Sequence, residues 1–126
     1  MRTLEARETQ EQQAVMEWWA YACHRWKLEE FDLFHIPNEG TGSRARGVLQ
    51  KRQGLRPGCP DLMLSCPAGP YHGLFVEMKR AKRGKPSEEQ LNFHARLARR
   101  GYAVAVCHGA EEAIRSITHY LEARSG

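Results

Sequence analysis

Two apolar stretches on either side of a short turn constrain the fold of this chain more than any other feature. The turn at 67–70 (Pro-Ala-Gly-Pro) separates a strand-like stretch at 61–66 from a second one at 72–79. Both stretches have short apolar runs, Leu-Met-Leu at 62–64 and Leu-Phe-Val at 74–76, and short apolar runs bounded by turn residues are typical of strands. Because a short turn joins neighbouring antiparallel strands, the pattern predicts a central β-hairpin.

The flanking segments predict helices and further strands around this hairpin. Apolar residues recur at helical spacing near both ends of the chain, and Ser87 is a good N-cap, with Gly101 closing the helix that follows it. The predicted elements are a helix at 9–28, strands at 31–36, 61–66 and 72–79, a helix at 87–100, a strand at 102–107 and a helix at 110–123. The segment 38–60, rich in Gly and Arg, is predicted to be a long loop.

The order α-β-β-β-α-β-α indicates an α/β protein with a mixed sheet flanked by helices. With 126 residues, of which 41% are hydrophobic and 27% charged, residues 1–126 are expected to form one globular domain. Lys and Arg outnumber Asp and Glu by 19 to 15, which permits a nucleic-acid partner without requiring one.

The composition also bears on where the protein works. Its four cysteines form no CxxC pair, so reduced thiols are favoured over a zinc site or a disulfide framework. The polar start of the chain does not resemble a secretory signal, and no apolar run approaches the roughly 18 residues of a membrane span. A cytoplasmic protein without a membrane partner is expected.

Three charged residues stand out in and beside the hairpin: Asp61, Glu77 and Lys79. Side chains two positions apart in a strand share a face, so Glu77 and Lys79 point the same way. The hairpin can bring Asp61 beside Glu77, and two such carboxylates repel unless a hard cation such as Mg²⁺ lies between them. A metal ion with a lysine beside it suits phosphodiester hydrolysis. The alternative is an exposed ion pair of Glu77 with Lys79, worth under about 1 kcal/mol.

The wider sequence resembles a known nuclease family. Pro60-Asp61 followed by Glu77-Met78-Lys79 is similar to the PD-(D/E)XK nuclease signature, and the surrounding segments resemble its VRR-NUC branch, in the small standalone form of phages and bacteria. The matching segments, in chain order, are 35–40 (HIPNEG), 54–61 (GLRPGCPD), 72–80 (HGLFVEMKR), 87–90 (SEEQ) and 101–102 (GY).

This resemblance implies a restriction-endonuclease-like fold and a metal site for Mg²⁺ or Mn²⁺. It implies that Asp61 and Glu77 are metal ligands together with the backbone carbonyl of Met78, and that Lys79 is catalytic. Members of the family often add a glutamate from the first helix. Glu8 is preferred for that role here, and Glu11 is the alternative; an ordinary solvated glutamate is the competing interpretation for both.

Gln90 is similar to a glutamine that many such nucleases place on the helix after the catalytic strand, near the active-site lysine or the metal-bound water. The competing interpretation is simple capping of the helix that begins after Ser87. His35 and Asn38 belong to a segment that resembles the family. They would line the active site or contact DNA, or else form a structural turn.

Two groups of basic residues flank the proposed metal site in sequence. Contacts from such residues go mainly to phosphates and so provide affinity rather than base specificity, and a solvated charged loop is the alternative. The predicted DNA-binding residues are Arg44, Arg46, Lys51, Arg52 and Arg56 in the first group, and Arg80, Lys82 and Arg83 in the second, which also includes Lys79 and Lys85.

These observations lead to a metal-dependent endonuclease that acts on branched or structured DNA. Small standalone relatives resemble Holliday-junction resolvases, which implies a homodimer with two active sites. The Trp18, Trp19 and Trp26 stripe is expected to lie in the core, and part of it would otherwise serve such a dimer. A less selective nicking nuclease and a DNA-binding module without catalysis are the alternatives.

Overall fold

The computed structural model describes residues 4–37, 44–79 and 84–124, without the side chains of residues 4–8 and 44. Its helices are α1 (Leu4–Ala22), α2 (Arg44–Arg52), α3 (Glu88–Arg99) and α4 (Ala110–Glu122). Its strands are β1 (Leu33–His35), β2 (Leu62–Leu64), β3 (Leu74–Lys79) and β4 (Ala103–His108). Short 3₁₀ turns lie at Cys23–Trp26 and Glu30–Asp32.

The four strands form one mixed sheet in the order β1-β2-β3-β4. β1 pairs antiparallel with β2, β2 pairs antiparallel with β3, and β3 pairs parallel with β4. The central hairpin of β2 and β3 is therefore confirmed. Parallel neighbours need a crossover, and α3 provides it between β3 and β4. The predicted α/β fold with a mixed sheet between helices is confirmed.

One face of the sheet carries the hydrophobic core. Val76 and Met78 of β3 pack there with Val15 of α1 and Ile117 of α4, and all four side chains are buried. The intervening residue Glu77 points to the opposite face, where it bonds to α3. The alternation expected along this strand is thus observed, and both faces of the strand are covered.

The tryptophan stripe packs on the hydrophobic core, with Trp18 and Trp26 partly buried. Trp19 is fully buried and its indole N–H donates to the carbonyl of Glu30, at 3.0 Å. The Trp18 and Trp26 rings lie 6.0 and 6.2 Å from the Trp19 ring, measured between centroids. The expected role of this stripe in the core is confirmed.

Local signals fix both ends of α3. The Ser87 hydroxyl accepts from the backbone N–H of Gln90, and the Gln90 side chain accepts from the backbone N–H of Ser87. This is the expected capping box, which satisfies two donors that a helix start leaves unpaired. Gly101 follows the helix with a φ of 93°, a conformation that side chains rarely adopt.

Several predicted boundaries differ from the structure. The segment 38–60, predicted to be a loop, contains α2, because its Arg, Leu, Gln and Lys residues favour helix despite Gly47. The predicted strand at 31–36 shortens to β1, since Asp32 accepts from the N–H of Glu29 and stabilises a 3₁₀ turn. The first helix gives way to a 3₁₀ turn after Ala22, and Lys27 ends that turn in the left-handed conformation.

The remaining strands agree with the prediction to within a few residues. β2 and β3 are shorter than the expected stretches at 61–66 and 72–79, and β4 extends one residue beyond 102–107. Among the parts of the chain that the structure describes, no helix has the length and apolar character needed to cross a membrane.

Candidate active site

Asp61 lies immediately before β2, at the end of that strand that faces the second half of β3. Leu62 pairs with Val76, so the position before Leu62 faces the position after Val76, which is Glu77. The Asp61 side chain accepts a hydrogen bond from the backbone N–H of Met78, at 2.7 Å. The structure thus brings Asp61 to the same short stretch of β3 that carries Glu77.

The Asp61 backbone is tied to β1. Its carbonyl oxygen accepts from the N–H of Ile36 at 2.7 Å, and the Nδ1 atom of His35 lies 2.9 Å from the same oxygen. Because a carbonyl can only accept, Nδ1 carries the proton in this bond. His35 is exposed and lies beside the site, while Asn38 falls outside the described residues.

Glu77 is buried, with 2% of its surface exposed. Its two carboxylate oxygens accept from two different side chains of α3. Gln90 Nε2 donates to Oε2 at 3.3 Å, and His94 Nε2 lies 3.2 Å from Oε1. Burial of a carboxylate is costly unless hydrogen bonds or charges compensate for it, and α3 supplies part of that compensation.

Gln90 caps α3 and also contacts Glu77. Its side-chain oxygen accepts from the N–H of Ser87 at 2.8 Å, and its side-chain nitrogen donates to Glu77. One side chain can therefore cap α3 and contact Glu77 at the same time, because the amide group has an acceptor at its oxygen and donors at its nitrogen.

His94 and Glu77 lie close enough for an ion pair, at 3.2 Å. Burial, however, lowers the pKa of His94, and the nearby Lys79 ammonium lowers it further. A neutral imidazole at pH 7 follows, so this contact is a hydrogen bond from Nε2–H to the carboxylate. Lys79 follows Glu77 by two positions on β3, so the alternation of side chains along the strand directs it to the α3 side of the sheet as well.

The pKa of the Cys59 thiol is affected by both carboxylates. Burial raises the pKa of this thiol, and the negative charges of Glu77 and Asp61 raise it further. A thiol with a raised pKa stays protonated at neutral pH, which makes it a poor nucleophile.

The side chains present fit a hard divalent cation. Asp61 and Glu77 offer carboxylate oxygens on one face, and Mg²⁺ is commonly held by one or two carboxylates, with water completing its shell. Each carboxylate oxygen has lone pairs beyond those used in the hydrogen bonds above. No group of three or more His, Cys, Asp or Glu residues suited to a metal occurs among the side chains that the structure describes.

Glu8 and Glu11 of α1 are the two candidates for a third acidic ligand. The side chain of Glu8 lies outside the described part of the chain. The Glu11 carboxylate accepts from the backbone N–H of Ala110, the first residue of α4. Gly109 precedes that helix and has no side chain to cap it, so Glu11 provides an acceptor at a helix start, where negative charge is stabilising.

The first basic group lies on α2 and the segment after it. Lys51 and Arg52 occupy the last turn of that helix, and both are exposed, as are Arg46 and Arg56. The Arg56 guanidinium donates to the carbonyl of Lys51 at 3.3 Å. The Arg44 side chain and residues Arg80, Lys82 and Arg83 lie outside the described residues, whereas Lys85 is exposed.

The segment before Asp61 packs tightly against the start of α3. Gly58 has a φ of 87°, and a Cβ atom added there would lie 2.5 Å from the carbonyl oxygen of Glu89. Only glycine fits this close approach between backbones. The loop that carries Asp61 and the helix that carries Gln90 are thereby held together.

A Gly58→Ala substitution is expected to destabilise the protein by more than the roughly 1–3 kcal/mol of backbone strain alone. Gly54→Ala is the matched control, since Gly54 also has a positive φ but nothing within 4 Å of an added Cβ. Urea unfolding followed by circular dichroism would measure both variants. Equal losses of stability in the two would mean that the contact with α3 is unimportant.

Sequence patterns did not single out His94 or Cys59. His94 lies four residues after Gln90, so the two side chains share a helix face, and this spacing was the available signal. Cys59 adjoins Pro60-Asp61, but nothing in its local sequence marks a half-buried thiol. The contact of His94 with Glu77 and the partial burial of Cys59 are evident only in the folded structure.

The four-stranded mixed sheet with helices on both faces is that of a restriction-endonuclease-like nuclease. The model of the VRR-NUC domain matches residues 6–111, and the chain belongs to this family. It is also similar to a solved structure described as a VRR_NUC domain protein, with 26% identity and a TM-score of 0.82. That similarity covers 98% of this chain and 93% of the other. No match was found among curated proteins.

Membership of this family makes the chain a nuclease-family domain, with DNA as the partner that such a domain implies. The resemblance noted from the sequence is therefore confirmed, as is the fold that it implied.

Proposed function

We propose that the protein is a metal-dependent endonuclease that hydrolyses phosphodiester bonds in DNA, with Asp61, Glu77 and Lys79 at its centre. One observation supports this most strongly. The Asp61 carboxylate accepts from the N–H of Met78, next to a buried Glu77 on the opposing strand. Two carboxylates at paired positions of neighbouring strands favour a cation between them, since charge repulsion otherwise disfavours ionisation of both.

Asp61, Glu77 and the backbone carbonyl of Met78 would hold the metal ion, which is Mg²⁺ or Mn²⁺ in this proposal. Such an ion lowers the pKa of bound water and stabilises negative charge on a phosphoryl oxygen. Glu8 remains the preferred further ligand, because Glu11 is engaged with the start of α4. Gln90 acts beside these ligands by holding Glu77 from α3.

Lys79 would act directly on the substrate. It follows Glu77 by two positions on β3, and side chains two positions apart in a strand share a face. An ammonium there can orient the attacking water or stabilise the charge that builds on the phosphate. Nearby His94 is neutral and therefore does not compete with Lys79 for the phosphate oxygens.

The DNA backbone would run past the basic residues that flank the site. Arg46, Lys51, Arg52 and Arg56 are exposed in and after α2, which leads directly to the loop that carries Asp61. Such residues contact phosphates and make the affinity fall as salt rises. Arg44, Arg80, Lys82 and Arg83 belong to the same proposal on sequence grounds alone.

We extend the proposal to branched DNA, such as Holliday junctions, cut by a homodimer. The support is the resemblance to small standalone nucleases of this family, which are similar to junction resolvases. A two-fold symmetric dimer supplies two active sites for two strands. Light scattering of the purified protein tests the dimer directly.

The test is incubation with labelled four-way junction, flap, duplex and single-stranded DNA in Mg²⁺, Mn²⁺ or EDTA. We expect cleavage with either metal, none in EDTA, and faster cleavage of branched substrates. Equal rates on duplex and junction would favour a less selective nicking nuclease. Binding without cleavage of any substrate would favour a DNA-binding module, and cleavage in EDTA would exclude the metal mechanism.

A further inference from the structure

Both oxygens of Glu77 are held from the same helix. Gln90 and His94 lie one turn apart on α3, and each contacts a different oxygen of this carboxylate, at 3.3 and 3.2 Å. Only 3% of the Glu77 side chain and 11% of the His94 side chain are exposed. Water therefore has little access to replace either hydrogen bond.

The chemistry of the His94 contact defines which atom carries the proton. An ionised carboxylate can only accept hydrogen bonds, so Nε2 of His94 must be the donor. Gln90 is fixed in the same way, because its oxygen is engaged with the N–H of Ser87 and only its NH₂ group can face Glu77. Both contacts leave lone pairs on the carboxylate oxygens for a further partner.

Two donors restrict Glu77 more than one donor can. A single hydrogen bond to Oε2 leaves the carboxylate free to rotate about its last carbon–carbon bond. A second bond to Oε1 fixes the plane of the group, and both donors come from a helix with a capped start. The direction in which the remaining lone pairs point is thereby set by α3.

We propose that His94 is a positioning residue that fixes the orientation of the Glu77 carboxylate for metal binding. This inference rests on the proposed function, since it assumes that Glu77 is a metal ligand. Partners that hydrogen-bond to ligating carboxylates commonly alter metal affinity or activity by about 10–100-fold when they are removed. His94 touches neither the substrate nor the metal in this proposal, and it acts only through Glu77.

Two substitutions and a control separate this role from simple packing. His94→Leu removes the hydrogen-bond donor and introduces an apolar side chain that still fills space. His94→Gln keeps a donor, since its NH₂ group lies at a similar distance from the backbone. His119→Leu on α4 is the matched control, because His119 is exposed and lies on the opposite side of the sheet from α3. Thermal unfolding of each variant, followed by circular dichroism, would establish that it is folded.

Calorimetry without DNA measures the dissociation constant for Mn²⁺, and the Mn²⁺ concentration for half-maximal cleavage is measured in parallel. For His94→Leu we expect both values to rise by about 10–100-fold, with a smaller change in the rate at saturating Mn²⁺. His94→Gln should lie much closer to the wild-type protein, and His119→Leu should match it.

Unchanged Mn²⁺ binding by a folded His94→Leu variant would overturn the inference while leaving the proposed function intact. Equal losses in His94→Leu and His94→Gln would also overturn it, because the donor would then be unimportant. If the wild-type protein neither binds Mn²⁺ nor cleaves DNA, the proposed function itself fails. Should His94→Leu not fold, the comparison of His94→Gln with wild type decides: a metal affinity reduced tenfold or more would contradict the donor role.

Discussion

Asp61→Asn is expected to reduce DNA cleavage by about a thousandfold or more, on the order of 4 kcal/mol in activation free energy. The amide removes the negative charge that the metal requires. Its oxygen can still accept from the N–H of Met78, as the carboxylate does at 2.7 Å. The local backbone should therefore survive, and the loss should fall on catalysis rather than on folding.

Single-turnover cleavage of labelled DNA in Mg²⁺ measures this loss, and a gel-shift assay shows whether binding is retained. Glu111→Gln is the matched control, since it removes a carboxylate from an exposed ion pair with Arg115 on α4. Cleavage by Asp61→Asn within tenfold of the wild-type rate would show that Asp61 does not hold a catalytic metal.

Lys79→Met is expected to slow cleavage by about a hundredfold to a thousandfold, the usual cost of removing one group that stabilises transition-state charge. Methionine replaces the ammonium with an apolar group and keeps an unbranched side chain. Because the two carboxylates are unchanged, metal binding should persist. DNA affinity should fall only slightly, by the loss of one positive charge.

Rates at saturating DNA and metal isolate the chemical step for this variant. Lys27→Met is a suitable control, because it removes an exposed lysine from the 3₁₀ turn after α1. If Lys79→Met instead weakens DNA binding strongly and cleaves normally once bound, Lys79 is a phosphate anchor rather than a catalytic group.

The core of the candidate site followed from local sequence patterns. A turn between two apolar stretches was enough to predict the β2–β3 hairpin, and strand alternation placed Glu77 and Lys79 on one face. Ser87 and Gln90 were recognisable as a capping box from their spacing. Each of these inferences depends on residues that are close in sequence or joined by one short turn.

The features that were missed depend on contacts between distant segments. Glu11 meets Ala110 across most of the chain, and His94 meets Glu77 only because α3 crosses over β3. The helix α2 was not predicted for a different reason: the glycines and arginines of segment 38–60 resemble a loop in composition, although Arg, Leu, Gln and Lys all favour helix. A pattern of apolar residues predicts neither contacts between distant segments nor helices that depend on weak local preferences.

Because Gln90 contacts both Ser87 and Glu77, the position of the Glu77 carboxylate depends on the stability of the first turn of α3. The Gln90 oxygen secures the first turn of α3 while its nitrogen secures Glu77. Helix ends fray more readily than whole domains unfold. Fraying at this end would release a hydrogen bond to Glu77 while the sheet stayed intact, so we expect heating to abolish the proposed cleavage activity by local opening before it unfolds the protein.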